Sequence, residues 1–208
     1  MAVKDTSIDP RLLKSATKHF KKKGFLGAQL SEICKDAGVT TGAVYKRYKG
    51  KGELFEAVVK DTVDSMNRIL ENDGSTDPRK LSDEELIKVW SNTEESTRLW
   101  YERLMEIKDG LKLLLECSEG TKYSGFHNEW LDKMSDIDYE YLKALQERNL
   151  ADKSITRTEL HVIITAMWYL YTEPIIHEMS DKEVEHHCKV VGQLFNWSKA
   201  IGIKNNNI

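Results

Sequence analysis

The sequence predicts an all-α fold, a small N-terminal three-helix helix-turn-helix unit followed by a larger helical body. Three observations predict it. Apolar residues recur at spacings of three and four through most of the chain, the period of an amphipathic helix. Only three prolines interrupt 208 residues, and the charge lies in long Leu/Lys/Glu-rich stretches suited to helices. Between Leu30 and Lys51 two short helical patterns flank a glycine turn. The boundary between the unit and the body is expected at residue 50, giving a first unit of residues 1–50 and a second of 51–208.

Asp9-Pro10 reads as a helix start, an aspartate cap followed by proline in the first turn. Leu12, Leu13, Ala16 and Phe20 then form an apolar stripe, and Gly24-Phe25 ends the helix with Phe25 folded back on it. In the next pattern Leu30, Ile33, Cys34 and Ala37 share one face. Gly38 follows where a helix end favours positive φ, and Val39 plugs the turn. Thr40 or Thr41 caps a short helix, Thr41–Tyr48, that turns Val44 and Tyr48 inward. Its outer face is left with Thr41, Tyr45, Lys46 and Arg47, while Gly42 and Ala43 permit close backbone approach to another surface. On spacing alone this is either a helical hairpin with a solvated basic face or a unit that enters a DNA major groove.

Charge helps decide. Residues 1–60 hold thirteen Lys/Arg against six Asp/Glu, a net of +7, and the remainder holds 18 against 28, a net of −10. A basic head on an acidic body points to a polyanion met by the head alone, each neutralised phosphate releasing counterions. Lys51, at the first turn of a fourth helix, is placed to clamp a phosphate. No run of about 18 apolar residues occurs, so no membrane span is expected. Cys34, Cys117 and Cys188, odd in number and within helical patterns, read as reduced packing residues of a cytoplasmic protein.

The fourth helix runs through Leu54, Phe55, Val58, Val59, Val63, Met66 and Leu70. After the loop Asn72–Pro78, Ser82 with Glu85 makes a capping box for a short helix ending near Trp90. A longer helix is expected to bury Leu99, Leu104, Ile107, Leu111, Leu114 and Leu115, broken at Gly120–Gly125. The next buries Trp130, Leu131, Met134, Ile137, Tyr141, Leu142 and Leu145. Thr156 with Glu159 caps a strongly apolar helix interrupted at Glu173-Pro174, and Ser180 with Glu183 caps the last, which reaches Ile201. These two helices are either core or the faces of a four-helix homodimer interface, with Ile163, Met167, Val184, His187, Val191, Leu194 and Ser198 facing the second copy. Trp100, Met105, Trp130, Met134, Trp168 and Tyr169 either line an aromatic ligand cavity or are ordinary core.

The series Phe20, Gly24-Phe25, Ile33-Cys34, Ala37-Gly38-Val39, Gly42-Ala43-Val44-Tyr45, Tyr48-Lys49, Lys51 and Leu54-Phe55 resembles the signature of the tetracycline-repressor (TetR) family over about residues 9–58. The resemblance implies an all-helical homodimeric transcriptional regulator, usually a repressor of an operator in double-stranded DNA, released by a small-molecule effector. By position it implies that Thr40, Thr41, Gly42, Ala43, Lys46 and Arg47 form the groove-facing helix. It also implies that Tyr45, Lys51, Gln29 and Ser31 contact the DNA backbone. Gly50 and Gly52 depart from the family pattern, standing where a capping residue and a helix former are usual. Leu30 departs too, replacing a hydroxyl residue.

In such a dimer the two groove-facing helices lie one DNA turn apart, and a ligand favouring a splayed form weakens DNA binding by its differential affinity for the two forms. Arg47 is expected to read guanine, Lys46 either guanine or phosphate. His161, His177, His186, His187 and Cys188 raise a metal-responsive alternative, but adjacent His186-His187 point apart on a helix and no ligand spacing appears, so no metal site is assigned. A helical scaffold that binds DNA without sensing an effector is a further alternative. The sequence contains no nucleophile motif, Gly-rich phosphate loop or paired-carboxylate signature, so neither an enzyme nor a cofactor is expected.

Overall fold

A computed structural model describes residues 8–91 and 93–204, and among the described residues every regular element is helical. The chain divides into two compact units, one of residues 1–66 and 107–127 and the other of 67–106 and 128–208.

The first unit holds α1 (Ile8–Gly27), α2 (Leu30–Ala37), α3 (Thr41–Tyr45), the start of α4 (Lys51–Gly74) and α7 (Lys108–Glu116). Regular helix in α1 stops at Gly24, whose φ of 67° suits a residue without Cβ. The reversal brings the Phe25 ring to 6.0 Å from Phe20 and 5.5 Å from Phe55. Gly38, at φ 66°, ends α2 in the same way, and Val39 N donates to Cys34 O at 3.0 Å. Ser15 Oγ, buried, donates to Ile33 O at 2.9 Å and ties α1 to α2. Leu12, Ala16, Phe20, Ile33, Cys34, Val44, Leu54 and Phe55 form the core as the spacing predicts.

That core is not closed by residues 1–50 alone, as the sequence suggested. Leu113, Leu114 and Cys117, from α7 and the turn after it, are buried in it, and Phe25 N donates to Cys117 O at 2.9 Å. Three short helices bury too little apolar area to stand alone, and a distant segment supplies the rest. The long helix expected between Leu99 and Leu115 is therefore two. α6 (Glu94–Met105) belongs to the second unit and α7 to the first, with a break at Ile107 (φ −113°, ψ 13°). Leu99, expected inside, is exposed.

The second unit holds the rest of α4, α5 (Asp83–Val89), α6, α8 (Phe126–Glu147, from Asn128), α9 (Arg157–Ile176), α10 (Asp181–Leu194) and α11 (Trp197–Ala200). The capping boxes of Ser82 with Glu85 and Thr156 with Glu159 form as read. Glu183 accepts from both Ser180 N and Ser180 Oγ. A further box, Thr93 with Ser96, starts α6.

Pro174 does not stop α9, which continues to Ile176. Proline removes the N–H that would bond the carbonyl four residues back, at Leu170. His187 Nε2, on α10, lies 2.7 Å from that oxygen. A carbonyl only accepts, so Nε2 carries the proton. The histidine repairs the gap the proline makes. His187→Ala is expected to cost about 1–2 kcal/mol, the usual consequence of leaving a buried acceptor unpaired. The same change in a Pro174→Ala background, where residue 174 regains its N–H, should cost clearly less. A double-mutant cycle by urea unfolding with zero coupling would refute this account.

The last helix also ends sooner than the periodicity suggests. Phe195 (φ −91°, ψ 93°) breaks it, and Asn196 Oδ1 accepts from Lys199 N to start α11.

Candidate nucleic-acid interface and ligand cavity

In the first unit, Thr40 takes an extended conformation (φ −84°, ψ 151°) and its Oγ1 accepts from Ala43 N at 3.2 Å, capping α3. Val44 is buried, which fixes the rotation of this one-turn helix. Thr41, Gly42, Tyr45 and Lys46 are consequently exposed, Tyr45 by 58%, while Ala43 is half-buried. A Cβ at Gly42 would meet nothing within 4 Å. Gln29, which begins α2 without a side-chain cap, and Ser31 are also exposed.

Two expected contacts are not where the sequence put them. Arg47 is 14% exposed, and its Nε lies 2.7 Å from Asp9 Oδ1, an ion pair whose angle does not make it a hydrogen bond. Its Nη1 donates to Ala43 O at 3.2 Å. The helix stops at Tyr45, and the tighter turn after it (Arg47 N and Tyr48 N both to Val44 O) swings residue 47 back toward α1. In this arrangement Arg47 braces the turn, and Lys46 is the exposed cation of this edge.

Lys51 is likewise engaged. Its ammonium donates to the carbonyls of Phe25 at 2.6 Å, Leu26 at 3.2 Å and Ala28 at 2.9 Å, and sits 4.5 Å from the centroid of the Phe25 ring. All three of its donors are used. Burial lowers its pKa. Here it closes the frayed end of α1, where carbonyls lack helical partners, and does not present a free clamp.

Part of the basic excess is neutralised locally. Lys18 pairs with Asp36 at 3.0 Å and Lys23 with Glu32 at 2.5 Å, and these bonds hold both carboxyls below their usual range.

In the second unit, a cavity of about 280 Å³ lies among α4, α5, α6, α8, α9 and α11. Of the residues that could be cavity or core, Trp100, Trp130, Met134 and Trp168 line it. Met105 and Tyr169 do not, Tyr169 being 46% exposed on the outer side of α9. Met167, expected at a dimer interface, faces the cavity. The sequence reading missed Tyr141, Tyr171 and Trp197, and above all Asp138 and Asp73. The signal for Asp138 was present. Leu131, Met134, Asp138, Tyr141 and Leu145 alternate at spacings of three and four, so the aspartate stands on an apolar stripe. Asp138 is half-buried and lines the cavity. Burial among protein atoms, and secondarily Asp73, push its pKa up to about 7. Burial likewise pushes Tyr171 up to about 12.

The remaining interface residues divide by helix face. Val184 and Val191 are buried with Cys188 on the inner side of α10, against α6, and so cannot face a partner. His187 is spent on Leu170 O, and Ser198 lies on α11 beyond the break. Ile163 is half-buried and Leu194 is 65% exposed. The large apolar residues that face outward are Val162 and Tyr169 on α9 and Val190 and Leu194 on α10, of which only Leu194 belongs to the expected stripe.

Of the histidines, His161 Nδ1 lies 2.8 Å from Ser135 Oγ and His177 Nε2 lies 3.0 Å from Glu173 Oε2. Among the described residues no three His, Cys, Asp or Glu side chains converge to hold a metal.

A glycine-turned pair of short helices with a small-residue, cationic outer edge, together with a helical unit enclosing an aromatic cavity, defines a helix-turn-helix protein with a ligand-sized hollow. Residues 12–58 match the family model of bacterial regulatory proteins of the tetR family. It is 30% identical over 84 residues to the HTH-type transcriptional regulator TtgR of Pseudomonas putida, covering 39% of this chain and 40% of TtgR. With the uncharacterized HTH-type transcriptional regulator YdgC of Bacillus subtilis it is 30% identical over 118 residues, 57% of this chain and 53% of YdgC. The matched region thus spans only about half or less of the length of these relatives. The fold is shared over nearly the whole chain with SmeT, the repressor of the Stenotrophomonas maltophilia multidrug efflux pump SmeDEF. In its triclosan complex SmeT superposes with a TM-score of 0.63 at 17% identity, over 97% of this chain and 94% of SmeT. No helix of the described residues is long and apolar enough to cross a membrane.

Proposed function

We propose that the chain is a DNA-binding transcriptional regulator, acting as a repressor on a palindromic operator and released when a small molecule occupies the cavity of the second unit. The observation that carries this is the outer edge of α3, where Thr41, Gly42, Tyr45 and Lys46 are exposed and Gly42 has open space above it. Such an edge can press its backbone against base edges while Lys46 reads guanine and Tyr45, Gln29 and Ser31 reach phosphates. A homodimer supplies the second α3, and the exposed Val162, Tyr169, Val190 and Leu194 offer the apolar face for it. SmeT, which shares the fold, is described as a repressor and has been captured with triclosan, which supports the repressor and effector parts of the reading. A regulator of this kind works in the cytoplasm, without a catalytic site.

The test is Gly42→Leu. In the protein alone the new side chain meets nothing and removes a helix-weakening glycine, so thermal stability should stay level or rise by up to about 1 kcal/mol. Against DNA it stands where the groove must come close. Operator fragments selected from a random pool should bind at least about tenfold more weakly, on the scale of one lost base contact. Unchanged binding by the folded variant would remove α3 from the interface.

A further inference from the structure

We infer that the cavity of the second unit takes an organic cation, a positively charged nitrogen on an aromatic or branched apolar body, with Asp138 as its counter-ion. This names the chemical class of the effector and rests on the reading of the cavity as the effector site.

Three ring pairs carry the first part of the argument. Trp130 and Trp168 lie 4.8 Å apart, Trp100 stacks on Tyr171 at 6.0 Å with planes 15° apart, and Trp90 meets Trp197 edge-on at 5.2 Å. All six line the one cavity. Aromatic faces attract cations, most strongly where water is excluded. The second part is charge. Asp138 and Asp73 line the same cavity, and no Lys, Arg or His is among its lining residues. Arg103, whose charge acts on Asp73, lies over the Trp100 ring and is itself exposed. Among the described residues the Asp138 carboxyl has no hydrogen-bond or basic partner. A carboxylate so placed is costly to leave ionised. An anion would meet two acids, and a neutral ligand would gain only apolar burial. A cation gains the ring faces and restores a charge partner to Asp138.

Proton balance follows. Burial and Asp73 raise the Asp138 pKa to about 7, so near neutrality the empty site holds a proton for part of the time. The other titratable groups lining the cavity are Asp73 from α4, Tyr141 from α8 and Tyr171 from α9. Both tyrosines are raised, and so stay neutral at these pH values. A bound cation replaces the proton, which leaves to solvent, so affinity for the cation should rise with pH through this range.

The experiment is calorimetric titration of the full chain with (1-naphthylmethyl)trimethylammonium and with 1-neopentylnaphthalene, in which carbon replaces the charged nitrogen. The cation should bind more tightly than its neutral isostere at pH 8, and its affinity should fall about tenfold at pH 6, as expected for one group titrating near pH 7. The neutral isostere should show no such dependence. Asp138→Asn removes a buried charge and is expected to fold, and it should abolish both the pH dependence and the preference for the cation. Equal or tighter binding of the neutral compound, an undiminished preference in the folded Asp138→Asn protein, or no binding of either probe would overturn the inference. Cation binding that leaves operator affinity unchanged would uphold this site and refute its role as the effector site. Operator release by the neutral compound alone would do the reverse.

Discussion

Replacing Gly192 by alanine is expected to destabilise the second unit by about 1–2 kcal/mol and to weaken the small-molecule binding proposed for its cavity. A Cβ at this position on α10 would lie 2.7 Å from Glu94 N, 3.0 Å from Thr93 C and 3.1 Å from Glu94 Cα, all backbone atoms at the start of α6. Backbone cannot rotate aside as a side chain can. Either α6 and α10 move apart by most of an ångström or the capped first turn of α6 unravels. Overpacking of this kind costs about 1–3 kcal/mol, sometimes more, against the roughly 1 kcal/mol that alanine gains over glycine in a helix. Functional loss follows from geometry. α6 carries Trp100 to its stack on Tyr171, and a shift of its start tilts that ring into the cavity. Gly52→Ala in α4, where nothing lies within 4 Å, is the control and should be neutral or stabilising. Urea unfolding that finds Gly192→Ala no less stable than the control would show that the close approach is not constraining.

The same contrast explains what the sequence could and could not say. Helix starts were legible because a capping box is local. Ser82 with Glu85 and Thr156 with Glu159 hold both partners within three residues, and each begins a helix as read. Gly24 and Gly38 were legible for the same reason, each supplying a positive φ at a helix end. What failed were decisions taken between distant segments. The apolar run from Leu99 to Leu115 has an unbroken helical period, and only the demand of the first unit's core for Leu113 and Leu114 splits it at Ile107. The inner stripe of α10 could be core or a partner-facing surface, because periodicity gives a face without saying what covers it, and α6 covers it.

In the candidate sites the pattern repeats. That α3 turns Thr41, Gly42, Tyr45 and Lys46 outward follows from a single buried Val44. That Arg47 turns back to Asp9 depends on where a helix of five residues stops, which no count of apolar positions fixes. The aromatic set of the cavity was half legible from composition. Asp138 was hidden by the ordinary assumption that an acid in a helix faces water.

Replacing Lys51 by methionine is expected to lower the stability of the first unit by about 2–3 kcal/mol, and to weaken DNA binding only through that loss. As a phosphate clamp, Lys51 would be dispensable for folding, and its removal would weaken binding to every sequence and reduce the salt slope by about one. The geometry argues otherwise. One ammonium serves the carbonyls of Phe25, Leu26 and Ala28, which lie at the end of α1 and in the turn before α2. Methionine keeps the apolar stem over the Phe25 ring but offers no donor, so these carbonyls must be resolvated or remain unpaired. Charge-assisted bonds are each worth about 1.5–3 kcal/mol, and the desolvation that lowers the Lys51 pKa offsets part of their sum. The two readings separate cleanly in one series. For Lys51→Met, DNA affinity measured at several concentrations of a stabilising osmolyte should recover in step with the folded fraction, since an osmolyte restores burial but cannot restore a phosphate contact. A variant as stable as the parent that still binds DNA weakly, with a flatter salt dependence, would return Lys51 to the phosphate and make its three carbonyl bonds a resting state that DNA displaces.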